Sequence, residues 1–256
     1  MKKQFLLLML ACFIALSGTA NVRLPNILGS HMVLQQKSTV KLWGWAAPGE
    51  KISITVGWDN STYKTQATND AKWITEIKTP AAGGSYSITL QGNNTIKLED
   101  VLIGEVWVCG GQSNMEWSGT QNLQESKDEA PNATNNKIRL FYVYKSTSAF
   151  PQENVDGKWV VCAPEEMIKF SAIGYFFGKN LNQKMNIPIG LINSNWGGTP
   201  AETWAPEYVI NNDKIIKRGS EQLNTSQGWP HKTALAYNAM IYPITNYAIA
   251  GAIWYQ

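Results

Sequence analysis

The sequence predicts a mixed protein in two parts: an antiparallel β-sandwich over residues 21–100, then an α/β part over 101–256 built on a parallel sheet. Three observations predict it. Apolar residues alternate at period two through the first part, between clusters of turn formers. Continuous apolar runs of strand length stand at 106–109, 189–193 and 248–255, as in strands covered on both faces. Between them, 170–183 has helical period, and strands alternating with helices build a parallel sheet with helices on both faces.

Residues 1–20 are set aside first. Lys2-Lys3 forms a basic start, an apolar run follows from Phe5, and Ser17-Gly18-Thr19-Ala20 supplies small residues for cleavage. This is the pattern of a secretory signal peptide cut after Ala20; a lipoprotein anchor on Cys12 is the rival. The expectation is export, to the periplasm or outside of a bacterium. No other run has transmembrane length, so no membrane partner is expected after cleavage. The formal charge of +3 falls by two when Lys2 and Lys3 leave, and the remaining lysines are dispersed, which argues against nucleic acid. Cleavage also leaves two cysteines, Cys109 and Cys162, in an oxidising compartment. A disulfide between them and two buried thiols are both open readings, to be decided by their separation.

In the first part, Lys51-Ile52-Ser53-Ile54-Thr55-Val56 puts Ile52, Ile54 and Val56 on one face, and Ser85-Tyr86-Ser87-Ile88-Thr89-Leu90 does the same with Tyr86, Ile88 and Leu90. Val40 with Leu42, and Trp73 with Ile77, fit two further strands. Turns are expected at Ala47-Pro48-Gly49-Glu50, Asn69-Asp70, Ala82-Gly83-Gly84 and Gly92-Asn93-Asn94. Aromatic turns around Trp43-Gly44-Trp45 and Trp58 would pack in the core or touch sugar. In the second part, 118–136 reads as a long polar surface loop, 138–144 as a strand and 158–162 as a short one. The helix over 170–183 carries Phe170, Ile173, Phe177 and Leu181 on one face, and Gly174 and Gly178 let it lie close to a neighbour. A last helix is expected over 233–241, ended by Pro243. The sequons at Asn60, Asn94, Asn132 and Asn224 matter only if a eukaryote makes the protein.

The strand at 106–109 runs into Gly110-Gly111-Gln112-Ser113-Asn114-Met115-Glu116. Ser113 and Glu116 have capping-box spacing, so Ser113 is expected where a strand hands over to a helix N-terminus. Amides there are unpaired and an oxyanion would be stabilised. On spacing alone Ser113 is a cap or a nucleophile. The motif is not the G-x-S-x-G elbow, because Met115 replaces the second glycine. The strand ending near Asn193 repeats the arrangement, with Gly197-Gly198 and then Thr199-Pro200-Ala201-Glu202, a second capping-box spacing with Pro200 at the first helical position. Carboxyl ends of parallel strands line ligand crevices. The amides of Ser113 and Gly198 could then aim at one oxyanion, each donor worth roughly 3–4 kcal/mol of barrier. Otherwise Gly198 only permits the turn, and Gly197 competes with it as donor. Gln112 and Asn114 flank the serine and would orient it or touch the acyl group. Glu202 would cap and brace its loop. Trp117, Trp196 and Trp204 would line a cleft or pack.

Gly111-Gln112-Ser113-Asn114-Met115-Glu116-Trp117 resembles the first block of the sialate O-acetylesterase family, a branch of the SGNH hydrolases. Gly197-Gly198-Thr199-Pro200-Ala201-Glu202-Thr203-Trp204 resembles its second block, with smaller matches at Phe170-Ser171-Ala172, Tyr237-Asn238-Ala239-Met240 and Trp254-Tyr255-Gln256. The resemblance implies an SGNH-type α/β/α hydrolase domain, a nucleophile at Ser113, an oxyanion element around Gly198, and removal of acetyl groups from sialic acids or related acetylated carbohydrates. It implies no metal or organic cofactor. It also implies a later Asp-x-x-His block carrying the base and a Gly-Glu-Ser-Asn block after the Trp-Tyr-Gln strand. Neither is in this sequence, so the expectation is a truncated chain with weak hydrolysis or none. His31 reads as structural and His231 as a poor candidate base. The rivals are a catalytically silent carbohydrate-binding protein and an acetylxylan-type esterase. Two distant histidines and two cysteines make no zinc set, and Gly197-Gly198-Thr199-Pro200 lacks the lysine of a phosphate loop.

Overall fold

The computed structural model describes residues 21–223 and 228–256. The expected signal peptide with Cys12, and the sequon at Asn224, lie outside the described residues. The described residues open with β1 (Val33–Gln35), β2 (Thr39–Trp45), β3 (Lys51–Val56), β4 (Thr62–Gln66), β5 (Lys72–Lys78), β6 (Gly83–Gln91) and β7 (Thr95–Gly111). Period two decides the faces: Ile52, Ile54 and Val56 are buried while Lys51 and Thr55 are exposed. Strands β2 and β5 pair antiparallel as a separate two-stranded sheet, and β4, β3, β6 and β7 pair in that order in the larger one. Residues of both sheets, Val40, Leu42, Trp73 and Ile77 with Ile54, Val56, Ile88 and Leu90, share one apolar cluster. Two expected turns are strand instead. Trp43-Gly44-Trp45 ends β2, and Gly83-Gly84 starts β6.

The change of pattern expected at residue 101 falls inside β7, which runs for 17 residues without a break. Its first half pairs antiparallel with β6 and, at residues 102–104, parallel with β1. Four more strands follow: β8 (Asn135–Tyr142), β9 (Trp159–Cys162), β10 (Ile189–Asn195) and β11 (Gly251–Tyr255). The second half of β7 pairs parallel with both β10 and β11, β10 pairs parallel with β8, and β9 closes that edge antiparallel. Among the described residues nine strands thus form one large mixed sheet.

Among the described residues the α-helices are α1 (Ser113–Glu116), α2 (Gln124–Glu129), α3 (Pro164–Met167), α4 (Ala172–Met185), α5 (Glu207–Asn212) and α6 (Lys214–Glu221). The long loop expected over 118–136 is instead a 3₁₀ turn, α2, a second 3₁₀ turn and the start of β8. Ser118 and Gln121 form a capping box there, which gives that polar stretch a defined start. On α4 the expected apolar stripe is not the buried one. Ile173 is exposed, and Ala172, Gly174, Tyr175, Gly178 and Asn182 face inward. The glycines set that choice, because a Cβ at Gly174 would sit 2.9 Å from Cys109 Sγ and one at Gly178 2.6 Å from a Leu191 methyl. The last helix is shorter than expected, with a π-helical turn at Tyr237–Ile241 that passes into a 3₁₀ turn at Pro243.

Both faces of β10 are covered, whereas β11 is largely exposed, with Trp254 and Tyr255 each 46% exposed, so the doubly covered strand expected at 248–255 is not found. Leu191 and Ile189 of β10 lie in a cluster with Cys109, Met115, Phe170 and Tyr175 under α4. Ile192 faces the other way, in the cluster that holds Met240, Ile244 and Tyr247 together with the core of the first part. Cys109 and Cys162 are both buried free thiols and are not joined. Burial pushes each up to about 12, and Cys162 Sγ donates to the Ala133 carbonyl at 3.0 Å. A polar joint ties β7 to β8: the Arg139 guanidinium, 3% exposed, donates to Asp100, which also holds His31 Nδ1 at 2.8 Å. Arg139 is the main cause that Asp100 is held down to about 2, with His31 adding to it. His31 is therefore structural in its contacts.

Candidate active site

In register, Asn195 of β10 and Tyr255 of β11 both stand beside Gly111 of β7, so three parallel strands end together. Gly111 has φ +132, and a Cβ there would collide with the Tyr255 carbonyl. Only glycine lets the chain turn at that point. Main-chain bonds fix the bend: Gln112 N donates to Tyr255 O at 3.0 Å, and Trp196 N donates to Gly111 O at 3.1 Å.

Ser113 follows as the first residue of α1, half-buried, with Gln112 as the N-cap residue. This corrects the expected capping box. No side chain caps α1, and the Ser113 hydroxyl donates instead to Gln112 Oε1 at 3.1 Å. Glu116 is drawn away by better partners. One carboxylate oxygen accepts the Gly197 amide and the other accepts Lys145 Nζ, which lies 5.7 Å over the Trp196 ring.

The second loop sits against the first. A Cβ on Gly197 would lie 3.2 Å from Ser113 Cβ, so the two glycine turns touch. Gly198 has φ +77, and a Cβ there would meet the Trp229 ring at 3.1 Å. The second capping box is also absent: Pro200 is the N-cap residue of a 3₁₀ turn over Ala201–Trp204, without side-chain capping. Thr199 Oγ1 donates to Trp196 O at 2.6 Å and accepts Trp204 Nε1 at 2.8 Å. Gln256 Nε2 donates to Thr199 O at 2.7 Å.

The Gly197 amide is therefore occupied by Glu116. Among the described residues no acceptor faces the Ser113 or Gly198 amide, and the first amide of a helix has no partner within it. Asn114 is exposed, as is Trp117; Trp196 is half-buried, and Trp204 is buried edge-on to Trp254 at 5.7 Å. Among the described residues Glu202 makes only main-chain bonds, its carbonyl accepting from Ala234 and Ala205. The brace expected of Glu202 is made by Glu116. His231 Nδ1 lies 2.8 Å from the Trp229 carbonyl, in the loop beside Gly198. The Ser113 hydroxyl itself meets an amide oxygen. Among the described residues no group of His, Cys, Asp and Glu is arranged to hold a metal ion, and no helix is long and apolar enough to cross a membrane.

Sequence reasoning passed over the roles of Glu116, Lys145 and Trp229. Glu116 was visible as half of a box, and its real partner became apparent only with β10 laid beside β7. Lys145 carried no signal beyond following the strand at 138–144.

Two glycine turns meeting at the ends of parallel strands can be compared with known proteins. Residues 103–256 match the family model described as carbohydrate esterase, sialic acid-specific acetylesterase. The chain belongs to this family. It is 29% identical over 258 residues to human sialate O-acetylesterase, covering 94% of this chain and 49% of that protein. The rat sialate O-acetylesterase is 26% identical over 295 residues, covering 98% of this chain and 54% of its own length. Among solved structures, a carbohydrate acetylesterase from Xanthomonas citri superposes with a TM-score of 0.80 at 32% identity, over 92% of this chain and 51% of that one. This chain of the acetylesterase family thus spans about half the length of the relatives it matches.

Proposed function

We propose that the chain carries the nucleophile and oxyanion site of a carbohydrate O-acetylesterase acting on acetylated sialic acids or related sugars. The observation that carries this reading is the contact between the two glycine turns, which sets the free amides of Ser113 and Gly198 at the ends of neighbouring strands. Ser113 Oγ attacks the acetyl carbonyl and the Ser113 and Gly198 amides receive the oxyanion. The acetyl group passes to the serine, the sugar hydroxyl leaves, and water then releases acetate. A serine needs a base. His31 lies with Asp100 toward the far end of β7 from Gly111, and His231, whose Nδ1 is held by the Trp229 carbonyl, makes no bond to Ser113, whose hydroxyl meets Gln112. We therefore place the base, an imidazole, in the part of the relatives that this chain does not span. Gln112 holds the Ser113 hydroxyl until that imidazole is present.

The test is turnover of an aryl acetate and of O-acetylated sialic acid by the longest polypeptide containing this sequence. Ser113→Ala should lower kcat by about 10⁴-fold or more with binding retained. Unchanged turnover in that variant would end the serine reading. The amide partner of Ser113 Oγ favours one second reading, a silent carbohydrate-binding protein. That reading expects glycan affinity without turnover in every length of the chain. Acetylated xylan, tested alongside, separates a xylan esterase from one selective for sialic acids.

A further inference from the structure

A cavity of about 680 Å³ opens over β8 and β9. Its walls include Tyr142, Tyr144, Lys145, Lys158 and Lys169, and Glu166 is the one carboxylate among its lining residues. The size suits a sugar, since small-molecule pockets run to roughly 300–1,000 Å³. The two tyrosine rings, 5.8 Å apart and tilted by 49°, give it an aromatic wall, with Tyr144 53% exposed. Lys145 connects it to the candidate active site, because its ammonium is bonded to the Glu116 carboxylate that also takes the Gly197 amide. That bond uses the charge of Lys145. Among the described residues Lys158 and Lys169 have no ion-pair partner. Two exposed ammonium groups without an ion pair therefore line a cavity that contains one carboxylate, an excess of one positive charge.

Resting on the esterase reading, we propose that this cavity is the subsite for the carboxylate of an acidic sugar, with Lys158 and Lys169 as the residues that select it. A neutral sugar leaves both ammonium groups as they are. A sugar carboxylate adds the missing negative charge, while its ring lies against Tyr144. The acetyl ester of the same sugar then extends past Lys145 to Ser113. The two lysines act on binding and leave the acyl chemistry alone.

Binding to the full 256-residue chain tests this without turnover. The probes are N-acetylneuraminic acid, its methyl ester, which has the same shape without the charge, and glucuronic acid. The free acid should bind at least about ten-fold more tightly than the ester. The double variant Lys158→Gln/Lys169→Gln should bring the acid down to the ester's affinity and leave the ester unchanged. Glu166→Gln should tighten the acid and again spare the ester, which guards against a misfolded lysine variant. Equal affinity for acid and ester, or a double variant that still prefers the acid, overturns the subsite. Glucuronic acid binding as well as the sialic acid extends the subsite to uronic acids; glucuronic acid binding no better than the ester restricts it to sialic acids. Acid-selective binding in a protein whose Ser113→Ala variant keeps its turnover leaves the subsite standing and removes only the serine reading. Serine-dependent turnover without acid selectivity does the reverse.

Discussion

The turns that end β7 and β10 start alike and are held differently. The first is locked by main chain, with Tyr255 O and Gly111 O both paired across neighbouring strands. The second is held by side chains: Glu116 on the Gly197 amide, Thr199 between Trp196 and Trp204, and Gln256 on the Thr199 carbonyl. The position of the serine is therefore a property of the sheet. The position of the second amide depends on groups that single substitutions can remove.

The largest expected effect follows from that contrast. Gly111→Ala should destabilise the chain by about 3 kcal/mol or more, because both φ and the Tyr255 carbonyl oppose it. Gly198→Ala should cost about 1–2 kcal/mol, since the obstacle is a tryptophan ring that can shift. Denaturant titrations of the two variants measure the difference, and equal losses would break the contrast. Next, Glu116→Ala leaves the Gly197 amide without an acceptor and should cost about 2 kcal/mol. Glu202→Ala should change stability by no more than about 0.5 kcal/mol, as its side chain bonds nothing among the described residues. A reversed order would return the brace to Glu202.

Acid provides a reference outside both loops. The folded pKa of Asp100 is depressed to about 2 from an ordinary 3.8. Its contribution to stability is fully present above the higher value and is lost as pH falls through the lower one. Melting temperature should drop between about pH 4 and pH 2 by an amount that Asp100→Asn abolishes. The smallest effect is none at all. Cys109 and Cys162 are buried with thiols pushed up to about 12. Reducing agent should not move the melting temperature, and a thiol reagent at pH 8 should label neither cysteine in the native state. Labelling of Cys109 under native conditions would mean that the floor of the first turn opens.

Much of this was legible in the sequence wherever one interaction dominated. Ile52, Ile54 and Val56 alternate because one face is buried, and 106–109 and 189–193 are apolar because both faces are. The glycine pairs marked the turns for the same reason. The readings that failed lie where two partners compete. Glu116 has capping-box spacing, yet an amide on another strand and a lysine take its carboxylate. Ile173 fits an apolar stripe on α4, yet Gly174 and Gly178 permit a closer approach on another side. The polar run after Trp117 hid a six-residue helix and two 3₁₀ turns of three residues, because pieces that short on a surface carry no apolar period to detect. The continuity of β7 was hidden by Lys97, Glu99 and Asp100, whose charges interrupt the apolar pattern and here decorate a stretch paired with β6 before β1 joins at residues 102–104.

That continuity limits how the molecule can be taken apart. The strand that begins as an arm of a hairpin with β6 ends as the support of Ser113, and the Tyr247 hydroxyl, 2.7 Å from the Val33 carbonyl, ties opposite ends of the chain across the same core. A protease cut or gene truncation at residue 100 would sever a central strand and leave two unpaired ends, neither inheriting a finished interior.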